Sequence, residues 1–146
     1  MQIGLVGLGK MGAGIARRLC RADIHVAGFD ADPKACAPLA GEAGFAPAAS
    51  LDALLLAVRA PRIVWSMLPA GMVTREVLDR LLAKLSAGDV VVDGANGHYR
   101  DAMARAERFA ANGIGFIDAG VSGGVPGLAN VYAIMLGGRA EDIANL

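Results

Sequence analysis

The sequence predicts an α/β fold, a doubly wound parallel sheet with helices on both faces. Short apolar runs that read as strands alternate along the chain with amphipathic segments that read as helices. Two apolar runs, residues 63–65 and 90–92, are continuous instead of alternating with polar residues, which is typical of strands covered on both faces. Ligands of such sheets bind outside the carboxyl ends of the strands, so the loops at those ends are candidate sites.

The elements follow one another in a regular order. We expect strands at residues 2–6, 24–29, 45–47 (a weak one), 62–68, 89–93 and 114–118. We expect helices at residues 11–21, 33–43, 51–58, 73–85 and 99–112, with another beginning at residues 140–146. Met11, Ile15 and Leu19 recur every four residues and so share one face of the first helix. The sequence SAGD at residues 86–89 ends the fourth helix.

The first strand runs directly into GLGKMG, which matches G-x-G-x-x-G with glycines at Gly7, Gly9 and Gly12. Gly7 permits a tight turn, Gly9 lacks the Cβ that would obstruct a phosphate, and Gly12 lets the next helix pack closely. The helix N-terminus adds unpaired N–H groups and a positive dipole end. A glycine-rich turn without a ligand is the alternative, because 20 of the 146 residues are glycine. The strand before the motif and the helix after it favour a dinucleotide.

Asp30 ends the second strand, about twenty residues after the motif, where an acidic residue contacts the adenosine ribose of a dinucleotide. Its carboxylate can accept hydrogen bonds from both ribose hydroxyls and would repel a 2′-phosphate. Lys34 is the only nearby cation, and Pro33–Lys34 is better explained as the beginning of a helix. NAD is therefore favoured over NADP. The alternative is that Asp30 only initiates that helix.

Three further loops follow strands at the same edge of the sheet. They are MLPAG at residues 67–71, DGANG at 93–97 and AGVSGGVPG at 119–127. Small residues dominate all three loops and charges are few, so backbone N–H groups could approach a ligand or form an anion-binding nest. Ordinary turns would have the same composition, and each loop taken alone is compatible with both interpretations.

Composition excludes several classes of partner. The 14 basic and 14 acidic side chains give a formal net charge of zero without long runs of one sign, so neither nucleic acid nor an acidic membrane surface is expected. No apolar stretch is long enough for a membrane span, and the chain enters a strand directly after Met1, so no signal peptide is expected. Cys20 and Cys36 lack metal-ligand spacing, which favours reduced thiols over a disulfide or zinc site. We expect a cytoplasmic enzyme domain.

With these segments assigned, the chain resembles the 6-phosphogluconate dehydrogenase family, within the wider β-hydroxyacid dehydrogenase superfamily. The resemblance covers essentially the whole chain and is closest to the shorter decarboxylating branch, which often prefers NAD. The segments that carry it are IGLVGLGKMG at residues 3–12, ARRL at 16–19, AGFD at 27–30, MLPAG at 67–71, VVVDGANGHYRD at 90–101 and FIDAGVSGGVPGLANVYAIMLGG at 116–138.

The resemblance implies a role for each matching residue. It implies that the first turn, with Gly7, Leu8, Gly9, Lys10, Met11 and Gly12, wraps the pyrophosphate, and that Asp30 binds the adenosine ribose. Leu68, Pro69 and Ala70 would line the cofactor near the nicotinamide ribose. Asn96 would lie between the nicotinamide and the substrate, and Ser122, Gly123 and Gly124 would bind the hydroxyacid. An amide both donates and accepts hydrogen bonds, which suits Asn96 to such a position.

The chain departs from the family pattern near the substrate. The family usually has two glycines before the Asn and a Ser or Thr after it, whereas here the run is Gly94-Ala95-Asn96-Gly97. Pro126 stands where an aromatic or acidic residue is common. Other superfamily members usually have Ser or Thr in place of Asn96, which makes a 3-hydroxyisobutyrate-type dehydrogenase the alternative enzyme. His25 and His98 are expected to be solvent-facing or packing residues.

In the family, the general base is a Lys of a second, all-helical domain, which also forms the dimer. Lys10 and Lys84 match no catalytic motif, so no catalytic residue and no metal site are expected in this chain. We therefore expect residues 1–146 to form a dinucleotide-binding Rossmann domain, truncated before the helical domain.

Alone, such a domain would bind NAD but oxidise and decarboxylate 6-phosphogluconate negligibly. Its expected partners are a small hydroxyacid and a second copy of the chain, since an apolar surface near residues 131–136 should be exposed. A free-standing NAD-binding module without chemistry of its own is the remaining alternative.

Overall fold

The structure is a computed structural model that describes residues 1–123 and 132–146. Its strands are β1 (Gln2–Val6), β2 (His25–Phe29), β3 (Phe45–Pro47), β4 (Ile63–Ser66), β5 (Val90–Asp93), β6 (Gly115–Ser122) and β7 (Ala133–Gly138). The α-helices are α1 (Lys10–Arg21), α2 (Leu51–Ala57), α3 (Met72–Leu82), α4 (Tyr99–Ala110) and α5 (Ala140–Ala144), and a 3-10 helix covers Pro33–Leu39.

The strands form one sheet in the order β3-β2-β1-β4-β5-β6-β7. The first six strands are parallel, and β7 runs antiparallel to β6. The chain moves outward from β1 to β3 and then crosses back to β4, which lies on the other side of β1. The order of the six parallel strands is that of the Rossmann fold, whose ligand crevice opens where the direction of winding reverses, between β1 and β4. The predicted fold class is confirmed.

The hydrophobic core lies on both faces of this sheet. Val91 packs on one face with Leu54, Leu81 and Phe109. Its neighbours in the strand, Val90 and Val92, pack on the other face with Ile15 and Ile117 of α1 and β6. Successive side chains of a strand point to opposite faces, so the continuous apolar runs arise because each face is covered by helices.

Three elements differ most from the sequence prediction. One is β6, which was expected to end at residue 118 and extends to Ser122. The expected helix at residues 33–43 is a 3-10 helix that ends at Leu39, and Pro38 within it has no N–H to continue an α-helical pattern. Strand β7 was not predicted, because AIMLGG alone gives no indication of its partner. It pairs with β6 from Ile117 opposite Gly138 to Ser122 opposite Ala133.

Asp89 connects the turn before β5 to the beginning of β4. It is 1% exposed, and its Oδ2 accepts hydrogen bonds from the Ser86 amide at 3.0 Å and the Arg62 guanidinium at 3.1 Å. Its Oδ1 accepts the Arg62 amide at 2.6 Å. The carboxylate thus fixes where two neighbouring strands begin.

The two cysteines and the two histidines are of reactive residue types, and the structure shows the surroundings of each. Cys20 and Cys36 are free thiols whose pKa values are raised chiefly by burial, with further contributions from Glu42 to Cys20 and from Asp30 to Cys36. His98 is exposed and caps α4 by accepting the Arg100 amide at 3.2 Å, and His25 is exposed. Among the described residues, no helix is long and apolar enough to span a bilayer.

Candidate functional site

A cleft with a volume of about 570 Å³ lies at the carboxyl ends of the parallel strands. Loops that follow β1, β2, β4 and β5 form its walls together with the end of β6, so it occupies the crevice predicted for this topology. The predicted residues that line it are Gly7, Gly9, Lys10, Met11, Gly12, Asp30, Leu68, Pro69 and Asn96. Met67, Gly94 and Val121, from the three candidate loops, also line it, as do Ala31 and Val73, which the sequence did not single out.

The three glycines of the turn between β1 and α1 have different surroundings. Gly7 has a φ of +90°, and a Cβ there would lie 2.5 Å from the Met67 carbonyl oxygen. A Cβ on Gly12 would overlap the Gly7 carbonyl oxygen. A Cβ on Gly9 would meet no protein atom within 4 Å. Two of the glycines are therefore required by the protein's own packing, whereas the third leaves open space at the cleft.

The N-terminus of α1 is available to a ligand in the same turn. Gly9 is the N-cap residue, and no side chain caps the helix. The first N–H groups of an α-helix have no partner within it, and they carry the positive end of the dipole. The open space beside Gly9 and these N–H groups form a cradle suited to a diphosphate.

Asp30 is held in place by two backbone amides. Its Oδ2 accepts the Leu8 amide at 2.7 Å, and its Oδ1 accepts the Asp32 amide at 2.9 Å. Each carboxylate oxygen can accept more than one hydrogen bond, so both remain able to accept a ribose hydroxyl. The residue that caps the following 3-10 helix is Asp32, which accepts the Lys34 amide, so the interpretation of Asp30 as a helix initiator is wrong.

Leu8 and Ala70 differ from the other predicted residues. The Leu8 side chain is 3% exposed and packs in the core beneath the turn, so this residue contributes to the site only through its amide. Ala70 is exposed and does not line the cleft. The loop that carries it is fixed by Thr74, whose buried hydroxyl donates to the Pro69 carbonyl at 2.7 Å.

Asn96 connects the loop after β5 to the end of β6. Its backbone has a φ of +51°, in the left-handed region that few non-glycine residues adopt. Its Nδ2 donates to the Val121 carbonyl at 3.2 Å, and its Oδ1 accepts the Val121 amide at 3.1 Å. One N–H and one lone pair of the amide remain available to groups in the cleft.

The predicted hydroxyacid residues lie next to this connection. Ser122 and Gly123 are exposed, and they follow Val121 without lining the cleft themselves. Gly124 and Pro126 fall outside the described residues. The structure therefore brings Asn96 to the cleft and places Ser122 and Gly123 beside it.

A buried ionic group beneath the Asn96 loop was missed by sequence reasoning. Asp93, the last residue of β5, is 2% exposed and accepts Arg105 Nη1 at 2.9 Å and the Ala95 amide at 3.2 Å. Burial raises the pKa of Asp93, against the opposing effects of the Ala95 amide and Arg105. Burial also raises the pKa of Asp118, its register partner on β6, again opposed by Arg105. An acidic residue at the end of the apolar run VVV was the available signal.

Comparison with known proteins agrees with this arrangement. The model of the family described as the NAD binding domain of 6-phosphogluconate dehydrogenase matches residues 2–146. The chain is 38% identical over 138 residues to the NAD(+)-dependent, decarboxylating 6-phosphogluconate dehydrogenase of Haloferax volcanii. These residues make up 94% of this chain and 45% of that protein. Its counterpart of the same name in Bacillus subtilis is 33% identical over 143 residues, which cover 95% of this chain and 30% of that protein.

Solved structures show the same fold. The 3-hydroxyisobutyrate dehydrogenase of Mycobacterium tuberculosis superposes with a TM-score of 0.86 at 32% identity, covering 99% of this chain and 48% of that one. The 6-phosphogluconate dehydrogenase of Plasmodium falciparum gives 0.91 at 21% identity, over 99% of this chain and 32% of that one, which is a likeness of fold.

The chain spans 45% of the length of the Haloferax volcanii protein and 30% of that of the Bacillus subtilis protein, which is less than half of either relative. The resemblance inferred from the motifs is confirmed, and a nicotinamide dinucleotide is the cofactor class of the family. From its sheet order, its glycine turn and a match that extends over nearly its full length, we conclude that this chain belongs to the family of NAD-binding domains of 6-phosphogluconate dehydrogenase.

Proposed function

We propose that this chain is the NAD-binding part of an oxidoreductase that converts 6-phosphogluconate to ribulose 5-phosphate with loss of CO₂. The observation that carries the proposal is the cradle in the first turn, where open space beside Gly9 meets the uncapped N-terminus of α1. The named dehydrogenases among its relatives support the reaction class.

We propose NAD as the preferred cofactor, because Asp30 lines the cleft at the end of β2. A 2′-phosphate on the adenosine ribose would bring negative charge next to this carboxylate, whereas the two hydroxyls of NAD can donate to it. Lys10 also lines the cleft, at the first position of α1, where its charge would favour the diphosphate. Lys34 is exposed and follows the Asp32 cap, so it does not provide a buried positive charge to balance a 2′-phosphate.

The nicotinamide supplies the hydride acceptor when the cofactor is bound. Asn96 would orient the reacting groups with its remaining N–H and lone pair, and Ser122, Gly123 and Gly124 would bind the carboxylate or the hydroxyl end of the hydroxyacid. Lys84 pairs with Asp52 at 2.6 Å on the surface and does not line the cleft, so we assign it no proton transfer. We propose that the general base lies in a helical domain outside residues 1–146 and that the isolated chain is inactive.

A 3-hydroxyisobutyrate-type dehydrogenase is the second candidate. The solved relative from Mycobacterium tuberculosis favours it, at 32% identity and a TM-score of 0.86. Assays of the longer protein with 6-phosphogluconate and 3-hydroxyisobutyrate would separate the two reactions. A coding sequence that ends after Leu146 and yields a stable product would instead favour a non-catalytic NAD-binding module.

The direct test is a titration of the purified chain with NADH and with NADPH. Trp65 is the only tryptophan, and a Cβ on the cleft residue Gly94 would be 2.9 Å from its Nε1, so we expect its fluorescence to change when the nicotinamide binds. We expect NADH to bind at least about tenfold more tightly than NADPH, a difference of about 1.4 kcal/mol. Asp30→Ala should reduce this preference, whereas Asp52→Ala, which removes an exposed acid of α2, should not.

Two results would contradict the proposal. If folded protein gave neither a fluorescence change nor heat with either dinucleotide at millimolar concentration, the cleft would not be a cofactor site. If the isolated chain turned over NAD and 6-phosphogluconate at a rate typical of enzymes, the assignment of the base to another domain would be wrong.

A further inference from the structure

We propose that the buried pair of Asp93 and Arg105 positions Asn96 at the nicotinamide end of the cleft. The inference rests on the proposed function, since it assigns these two residues a task in cofactor binding. Neither side chain lines the cleft, so both would act through the loop that they hold.

The loop after β5 turns sharply and is held by several contacts. Asn96 has a φ of +51°, in the left-handed region, which Asn adopts more readily than other residues that carry a Cβ. The loop leaves β5 through Gly94, where a Cβ would lie 2.9 Å from Trp65 Nε1 and 3.0 Å from the Ser66 carbonyl oxygen, so the chain is packed closely against β4 at this point. Between these two points lies Ala95, whose amide is fixed by Asp93 Oδ1 at 3.2 Å.

Asp93 is itself fixed from the other side of the loop. Arg105 lies on α4, the helix that follows the loop, and its Nη1 donates to Asp93 Oδ2 at 2.9 Å. The Arg105 side chain is 14% exposed and that of Asp93 is 3% exposed, so the pair is largely shielded from water. Arg105 of α4 therefore holds Asp93 and, through it, the loop that precedes this helix.

Stability alone does not explain such a pair. Removing two charges from water costs free energy that their attraction often fails to recover, and apolar residues of similar size commonly serve as well. The Asp93 carboxylate does what an apolar side chain could not, because it accepts the Ala95 amide one residue before Asn96. Asn96 then reaches Val121 with both atoms of its amide group, which fixes that group at the cleft.

The arrangement predicts an effect that is confined to one end of the cofactor. Gly9 and Asp30, at the diphosphate and adenosine end, belong to other loops. The Asp30 carboxylate accepts the Leu8 and Asp32 amides, whereas that of Asp93 accepts the Ala95 amide and Arg105. ADP-ribose occupies that end but lacks the nicotinamide. Breaking the ion pair between Asp93 and Arg105 should therefore weaken NADH binding and leave ADP-ribose binding unchanged.

The test compares Arg105→Gln with Arg108→Gln, a control on the same helix whose guanidinium pairs with Asp79 on the surface. We expect Arg105→Gln to weaken NADH binding about tenfold while the affinity for ADP-ribose stays within about twofold. Arg105→Lys, which keeps the charge, should recover part of the NADH affinity. Arg108→Gln should change neither ligand.

A ligand-free measurement keeps the inference testable if dinucleotides fail to bind. The NMR signals of the Asn96 side-chain amide should shift and broaden in Arg105→Gln and in Asp93→Asn, but not in Arg108→Gln. Unchanged Asn96 signals, or equal losses of NADH and ADP-ribose affinity, would overturn the positioning role. Wild-type protein that binds neither ligand would instead overturn the proposed function.

Discussion

Gly9 and Gly12 belong to the same short motif, yet a methyl group would meet different surroundings at the two positions. At Gly12 it would overlap a backbone carbonyl oxygen, which cannot move without opening the turn. At Gly9 it would enter open space, and the backbone there, with φ −61° and ψ −172°, is accessible to alanine. The turn itself therefore requires a glycine at position 12 but not at position 9, which agrees with the proposed role of Gly9 in cofactor binding.

This difference gives a prediction for two alanine variants. Gly12→Ala should lower the free energy of unfolding by about 1–3 kcal/mol, as overpacking typically does. Gly9→Ala should leave it within about 0.5 kcal/mol of the wild type but greatly weaken NADH binding, because the added methyl group occupies the phosphate cradle. Urea unfolding and NADH titration of both variants would check this. Equal stability losses would contradict the distinct roles of the two glycines.

At the scale of elements, Asp89 determines how β4 and β5 begin side by side. Its carboxylate accepts three hydrogen bonds, from the Ser86 amide and from the amide and guanidinium of Arg62. Asp89 is 1% exposed, and its removal would leave the Ser86 and Arg62 N–H groups without their carboxylate partner. The register of the two central strands is fixed at this point.

We therefore expect Asp89→Ala to lower the free energy of unfolding by about 2–4 kcal/mol, measured by urea denaturation. The matched control is Asp52→Ala, which breaks the ion pair with Lys84 at the surface and should cost less than about 1 kcal/mol. Similar losses in the two variants would show that Asp89 contributes no more than an exposed ion pair.

At the scale of the whole molecule, β7 presents an exposed apolar edge to solvent. Ile134, Met135 and Leu136 are 41%, 74% and 40% exposed, and β7 has a pairing partner on one side, β6. The sequence predicted an apolar surface at residues 131–136, but Tyr132 is 9% exposed and packs in the core, and Val131 lies outside the described residues. The exposed part is therefore residues 133–136.

We expect this surface to cause self-association of the chain, because an exposed strand with apolar side chains pairs readily with another copy. Light scattering should give an average mass above 14.9 kDa that rises with concentration. Met135→Glu should shift the mass towards the monomer, whereas Leu56→Glu, at an 86% exposed position of α2, should not. A strict monomer at high concentration would contradict the prediction.

The sequence by itself determined the parallel sheet, the glycine turn and the position of Asp30. Each of these features is encoded in a short stretch of sequence. Apolar runs indicate the strands, glycines permit the turn, and a single carboxylate follows the second strand. Most of the lining of the cleft was predictable for the same reason, since loops after successive parallel strands must meet at one edge.

Only the tertiary structure decided which distant groups meet. The contact of Asn96 with Val121 joins residues 25 positions apart, and Arg105 reaches Asp93 from a helix 12 positions later. The pairing of β7 with β6 likewise depends on a register that AIMLGG does not encode alone. Each of these contacts depends on how packed elements are placed in space, and neither residue type nor local periodicity specifies that placement.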